Sequence, residues 1–504
     1  MAVTGHSLAS HAAIRIFERG GNIVDAMVAA SAATAAVLGH AAGIGGDCFL
    51  LYREAKTGKT HGLNASGVAP ALAAPDRFPD GMKAHGPLAP LVPGLVRAWE
   101  VMHRRFGQMD WRLLFDDAIA LAQAHPVSQV LANRAEAQAD EIAPDAGCAT
   151  LYLAGGRPIG MGETLHQPAL AATMRAIAAG GADAFYIGAI AEKIDAFFRA
   201  HDGLLRANDL AAYTPLWVEP VAAEYRGHCV EAMPPNSCGL LLLMQLNGLS
   251  AMDSAALAAA PARRMAYQMS AMKAAFALGV PHIADPAAVP DAAEILLSEE
   301  MAGVMRDAVL SLAQAKPVAD NGGTSCLVFA DEAGNAISLV QSIFNVYGAC
   351  LLDPATGILF NNRMLNFTHK KDKPNTVGPG KRPAHTLCPV MVTRGGRLRY
   401  AMATPGGLSQ TLTNVQVLNH LLDCGYDVQM AVQAPRWCNN KSGDFLIENE
   451  FPESAVAELA RMGHKAKRRD DGYFYGSAKV VEYLPSGNLA GGADFRREGF
   501  AFGL

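Results

Sequence analysis

The chain has 504 residues, 51% apolar and 18% charged, enough to bury a large core and, by length alone, to fill about three ordinary domains. Formal net charge is -5, with lysine and arginine spread along the chain, which argues against a nucleic-acid or membrane-surface partner and for a small soluble substrate. Nine cysteines with no CxxC pair argue against a disulfide framework, and the first residues lack the basic region and unbroken apolar core of a secretory signal, so a cytoplasmic location with reduced cysteines is expected.

Taken in chain order, residues 8–18 and 23–38 read as two helices joined by "RGGN", a glycine stop followed by Asn22 and by Asp25 in the next first turn. The second is alanine-rich and apolar nearly all round, the mark of a buried helix, and Ser, Thr and His interrupt it too often for a membrane span. After the loop "GIGGD", the segments "CFLLYR" and "THGLNAS" predict a strand, turn and strand. Residues 90–320 read as mainly helical, broken by "EYRGHCVEAMPPNSCG", which reads as an extended piece ending in a Pro-Pro turn. From 324 onward the texture changes to strands at 325–331, 336–343, 387–393 and 397–403, followed by a helix at about 409–423. The change near 320 comes without a visible linker.

"NGGTSCLVFAD" stands at that change. A threonine hydroxyl is a poor nucleophile until a base takes its proton, and one such base is the threonine's own α-amine once the preceding peptide bond has been cut. A free α-amine titrates at roughly 7.7–8.0 in model peptides, so part of it is neutral at about pH 7. The arrangement needs a rigid strand after the threonine and small residues before it; Asn321, Gly322, Gly323 and Thr324 supply both. Read locally, the same segment also fits an ordinary loop-to-strand connector.

Motifs along most of the chain add to this. "GGNIVDAMVAA", "GHAAGIGGDCFLLY", "DGLLRANDLAAY", "YRGHCVEAMPP", "TGILFNNRM", "PGKRP", "ATPGG" and "QAPRW" occur in the order found in the gamma-glutamyltransferase family of N-terminal-nucleophile hydrolases, which the sequence resembles from about residue 4 to its C-terminus. The resemblance implies an α+β fold, a four-layer αββα sandwich. It also implies self-cleavage between Gly323 and Thr324 into a large, helix-rich chain 1–323 and a small chain 324–504 that together form one domain. Thr324 falls at the family's nucleophile, and Gly406 and Gly407 fall at the glycine pair whose N–H groups face the developing oxyanion. Ser342 falls at a hydroxyl residue that hydrogen-bonds the nucleophile. Taken alone, the glycines also fit a lead into the next helix, and Ser342 an inward strand serine with a backbone partner.

The substrate positions depart from the glutamyl-specific pattern. Those members carry an arginine where this chain has Ser66, an aspartate at Asn366, a glutamine at Arg363, two serines at His385 and Thr386, and an asparagine at Phe344. Loss of the carboxylate and ammonium partners removes charge-assisted contacts of roughly 1.5–3 kcal/mol each. "VQSIF", "NNRM" and "HTL" instead resemble a hydrolase-like branch of the family that includes oxamate amidohydrolase. On that resemblance Arg363 offers a planar partner to a substrate carboxylate, and His385 and Thr386 offer donors; the alternatives are a solvated arginine and a packed histidine. The expected activity is hydrolysis of a small carboxylate-bearing amide through an acyl ester on Thr324. A gamma-glutamyl transferase with a rebuilt clamp, or a non-catalytic binding member, stays open.

No HExxH or paired-cysteine spacing points to a metal, "GIGGD" stands in the wrong order for a dinucleotide site, and there is no GxSxG elbow, so no cofactor is expected. For assembly, the expectation is the two processed chains held together, with a symmetric pair of such units the commonest form.

Overall fold

Alternation of side chains along buried strands sorts this chain into two antiparallel sheets in a computed structural model that describes residues 1–312, 322–439 and 445–504. The first sheet has seven strands in the order Phe500–Phe502, Ala2–Thr4, Gly323–Ala330, Ala336–Phe344, Asp47–Glu54, Lys59–Ala65 and Leu216–Val218. The second has six: Leu489–Ala493, Lys479–Tyr483, Arg397–Ala403, Val390–Arg394, His228–Ala232 and Val221–Tyr225. Period-2 geometry divides each strand between two cores. Phe49, Leu51, Cys326, Val328 and Val340 point inward and meet Met391, Ala401 and Val481 of the second sheet. Leu50, Leu327 and Leu339 point outward under the helices of the N-terminal half. Val390, Val392 and Met402 face a second helical layer built on Gly239–Leu249, Pro261–Gly279 and Ser409–Leu422. The result is the expected four-layer αββα sandwich.

The two N-terminal helices run Ser7–Glu18 and Ile23–Val37. Asn22 caps the second: its side-chain oxygen accepts from Val24 and Asp25 N–H while the Asp25 carboxylate accepts from the Asn22 N–H. Every residue of Ile23–Val37 is buried, as its uniform apolarity predicts. The segment around "EYRGHCVEAM" is a hairpin, Val221–Tyr225 and His228–Ala232 turning at Arg226–Gly227, where the sequence suggested one extended piece. Ala2–Thr4, too short to show a period, sits between the C-terminal strand and Gly323–Ala330. All nine cysteines are free, seven of them buried. No helix among the described residues is long and apolar enough to cross a membrane.

Candidate active site

The strand that starts at Gly323 places Thr324 at the mouth of the space between the two sheets. Gly323 pairs with Phe344 and Ser325 with Gln341, so a bulge sets two residues, Ser342 and Ile343, opposite Thr324 alone. Thr324 is 4% exposed, with its Oγ1 3.2 Å from Ser342 Oγ. Ser342 Oγ donates to the Gly323 carbonyl at 2.7 Å and accepts from the Phe344 N–H at 2.8 Å. With the single Ser342 proton committed to Gly323, the Thr324 hydroxyl is the donor to Ser342. One serine therefore polarises the carbonyl before Thr324 and orients the Thr324 hydroxyl. Gly323 is itself required here, because a Cβ would press against the backbone of Val346 at 2.7 Å. Asn321 lies outside the described residues.

Next to Ser342 across the sheet stands Asp47, its register partner on the adjoining strand and on the same inward face. Asp47 Oδ1 accepts from Arg363 Nη2 at 3.1 Å, and Oδ2 is 2.8 Å from His385 Nε2. His385 Nδ1 accepts from the Leu387 N–H, so the ring proton is assigned to Nε2 and donated to Asp47. Burial, helped by the positive charge of Arg363, draws the His385 pKa down to about 4. Burial pushes the Asp47 carboxyl up, but Arg363 and His385 outweigh it and hold its pKa below the ordinary value. At neutral pH the cluster is thus a cation, an anion and a neutral imidazole, with Arg363 fully buried. Thr386 Oγ1 stands 3.4 Å from Arg363 Nη1, and the guanidinium lies 4.7 Å from the Phe344 ring centroid. Phe344 holds a left-handed φ of 78°, costly for a bulky residue, in order to put its ring there.

A third group closes the other side of Thr324. Arg497 Nη1 donates to the Thr324 carbonyl at 3.2 Å, and Nη2 to the Tyr473 carbonyl. Lys479, buried and drawn down in pKa by that burial, donates to Ser477 and lines a void of about 20 Å³ with Thr324, Ser325 and His40. A larger cavity of about 200 Å³ reaches Gly322 and Gly406. Gly406 (φ 131°) and Gly407 (φ 59°) turn the chain from the strand Arg397–Ala403 into the helix Ser409–Leu422, and both values lie where side chains rarely go.

The structure therefore gathers Gly323, Thr324 and Ser342 in one hydrogen-bonded unit and Arg363, His385 and Thr386 in another. Ser66 is one shell further out: its hydroxyl accepts from Asn236 Nδ2, and Asn236 also accepts the His385 N–H on its carbonyl. Asn366 shares the short turn Arg363–Asn366, but its carbonyl accepts from Asn375 and its Nδ2 meets no acceptor among the described residues. Asp47, Lys479, Tyr473 and Arg497 are additions to the residues singled out in the sequence. Only Asp47 carries a local signal, an acid at the inward position opening a buried strand. Among the described residues one group, His85, Glu141 and Cys350, has metal-compatible spacing, with the first two exposed.

Helices enclosing two facing antiparallel sheets, with a threonine opening an inner strand, define the N-terminal-nucleophile hydrolase class. The family model described as gamma-glutamyltranspeptidase matches residues 9–504, and the chain belongs to that family. It is 31% identical to the glutathione hydrolase-like YwrD proenzyme of Bacillus subtilis, over 100% of this chain and 98% of that one. It is 30% identical to the oxamate amidohydrolase proenzyme of Klebsiella pneumoniae, again over 100% and 98%. The crystal structure of cephalosporin acylase from Bacillus halodurans superposes with a TM-score of 0.92 at 31% identity, covering 99% of this chain and 94% of that one. Membership makes this chain an amide hydrolase or acyltransferase.

Proposed function

We propose that the chain cuts itself between Gly323 and Thr324 and then hydrolyses a small carboxylate-bearing amide through an acyl ester on Thr324. The observation that carries this reading is the Ser342 hydroxyl, bonded at once to the Gly323 carbonyl and to Thr324 Oγ1. Attack of Oγ1 on that carbonyl carbon breaks the Gly323–Thr324 C–N bond and moves the acyl chain from nitrogen to oxygen. Water hydrolyses the ester, leaving a carboxylate on Gly323 and a free amine on Thr324. The names of the relatives as proenzymes agree with such a step.

In the processed form the Thr324 amine takes the hydroxyl proton as Oγ1 attacks the substrate carbonyl. The N–H groups of Gly406 and Gly407 receive the developing oxyanion, the proton passes to the leaving amine, and water resolves the ester. Arg363, His385 and Thr386, with Ser66 and Asn366 behind them, form a wall for the acyl group. Arg497 fixes Thr324 through its carbonyl. A cytoplasmic location belongs to the same proposal, on the strength of nine free cysteines.

The test is a denaturing gel of purified protein. Wild type is expected to resolve into chains 1–323 and 324–504, and Thr324→Ala to stay whole and inactive on every amide the wild type cleaves. A wild-type chain still intact after prolonged incubation would sink the reading.

A further inference from the structure

A substrate carboxylate cannot simply use Arg363. Asp47 already matches that charge in a fully buried site, so a second anion there would leave an uncompensated negative charge out of water. The 200 Å³ cavity offers another cation. Arg134, on the helix Gln129–Ala137, lies 4.5 Å from the centroid of the Tyr473 ring, and Arg497 lies 3.6 Å from the same centroid. Four buried polar atoms on this lining have no hydrogen-bond partner among the described residues: Arg134 Nε, Gln138 Oε1, Tyr473 Oη and Arg497 Nε. Among the described residues the nearest acid to Arg134 is Asp471 at 3.8 Å, longer than a hydrogen bond, and Glu141, which also lines the cavity, is exposed beside His85. Three of these atoms, Arg134 Nε, Tyr473 Oη and Arg497 Nε, are donors that cost free energy unless an acceptor from a ligand or water completes them, while Gln138 Oε1 is an acceptor and adds nothing to an anion site.

The cavity also has a direction. It touches Gly322, on the acyl side of the bond cut in self-cleavage, and Gly406 of the oxyanion turn. An amide that repeats the same attack on Thr324 presents its own acyl chain on that side. The volume is roughly six or seven water volumes, room for a short chain.

We infer that this cavity seats the terminal carboxylate of a short diacid monoamide, with Arg134 as the guanidinium that binds it and the Tyr473 hydroxyl as a further donor. The inference rests on the amidohydrolase reading and adds the residue that selects the acyl group.

The experiment measures kcat/KM on p-nitroanilides of three- to five-carbon diacids, each against the straight-chain monoacid anilide of the same length, for wild type, Arg134→Ala, Arg134→Lys and Tyr473→Phe. Self-cleavage on a gel is read in parallel, and binding of the free diacid and monoacid is followed by calorimetry. Wild type is expected to prefer the diacid amides by about tenfold or more, mainly through KM. Arg134→Ala is expected to bring the ratio close to one, Arg134→Lys to keep part of it, and Tyr473→Phe to lower it by a smaller factor. Turnover without diacid preference in the wild type, or a preference untouched in the Arg134 variants, overturns the inference and leaves the amidohydrolase reading standing. Arg134-dependent diacid binding by a protein that hydrolyses none of the anilides keeps the cavity assignment and counts against the hydrolase. Should Arg134→Ala fail to process, the Arg134→Lys and Tyr473→Phe ratios decide.

Discussion

Arg363 and Arg134 both stand near the strand that begins at Gly323, yet the fold treats them in opposite ways. Arg363 is sealed from solvent and its charge is met by Asp47, which His385 also holds. Arg134 keeps 17% of its side chain exposed, faces a cavity, and among the described residues has an acid no closer than 3.8 Å. The same guanidinium is a structural member where its counter-ion is held at hydrogen-bond distance in the core, and free to bind where the acid beside it stands too far off to hydrogen-bond. The difference is set by what was carried into the core with each arginine, and it can be tested from both ends.

The largest effect is expected from Asp47→Ala, made in a Thr324→Ala background so that a single chain is measured. Removing the carboxylate strands the Arg363 charge and should cost about 3–5 kcal/mol, read as a lower urea midpoint. Adding Arg363→Met should return much of the loss, because removing both charges removes the penalty of the unpaired one. A midpoint shift of under about 1 kcal/mol for Asp47→Ala would show that Arg363 does not depend on this partner.

A middling effect follows from His385. Burial and Arg363 lower its pKa from 6.5 to about 4, so between those values the unfolded chain binds a proton that the folded chain does not. Its contribution is full above about pH 6.5 and falls as the pH drops, by at most about 1.4 kcal/mol per pH unit from this residue. His40, His420 and His464 are lowered as well, so wild-type acid sensitivity is shared. His385→Asn should therefore flatten the stability profile between pH 6.5 and 4.5 by about one proton without abolishing it. Parallel profiles for variant and wild type would mean that His385 titrates alike in both states.

How far this contrast was legible in the sequence follows from chain distance. Thr324 and Ser342 are 18 residues apart on one hairpin, and the period of the two strands is enough to align them. The buried second helix and the central strands were legible for the same reason, since period and capping are local, whereas their assembly into two facing sheets was implied by the family resemblance. Asp47 meets Arg363 across 316 residues and His385 across 338, and Arg497 meets Thr324 across 173. No periodicity spans such gaps. Resemblance could nominate Arg363 and His385 as positions, but whether Arg363 was neutralised depended on Asp47, which in sequence is merely the acid after "GIGG". Arg134 sits on a mixed helix that carries no local mark of a binding role, and only the fold brings Tyr473 and Gly322 to it.

The smallest effect is expected for the stability of Arg134→Ala, and its smallness is what separates the two arginines. The long contact to Asp471 is partly exposed on both sides and is worth little. Packing over Tyr473 adds about 0.5–1 kcal/mol at a site of this exposure. The sum is about 1 kcal/mol, several-fold below the cost at Asp47, because no buried charge is left unpaired when this guanidinium is removed. The urea midpoint of Arg134→Ala in the Thr324→Ala background checks this directly. A loss approaching that of Asp47→Ala would place an internal counter-ion on Arg134 and make it a second structural arginine; a near-neutral change leaves its charge available for a ligand.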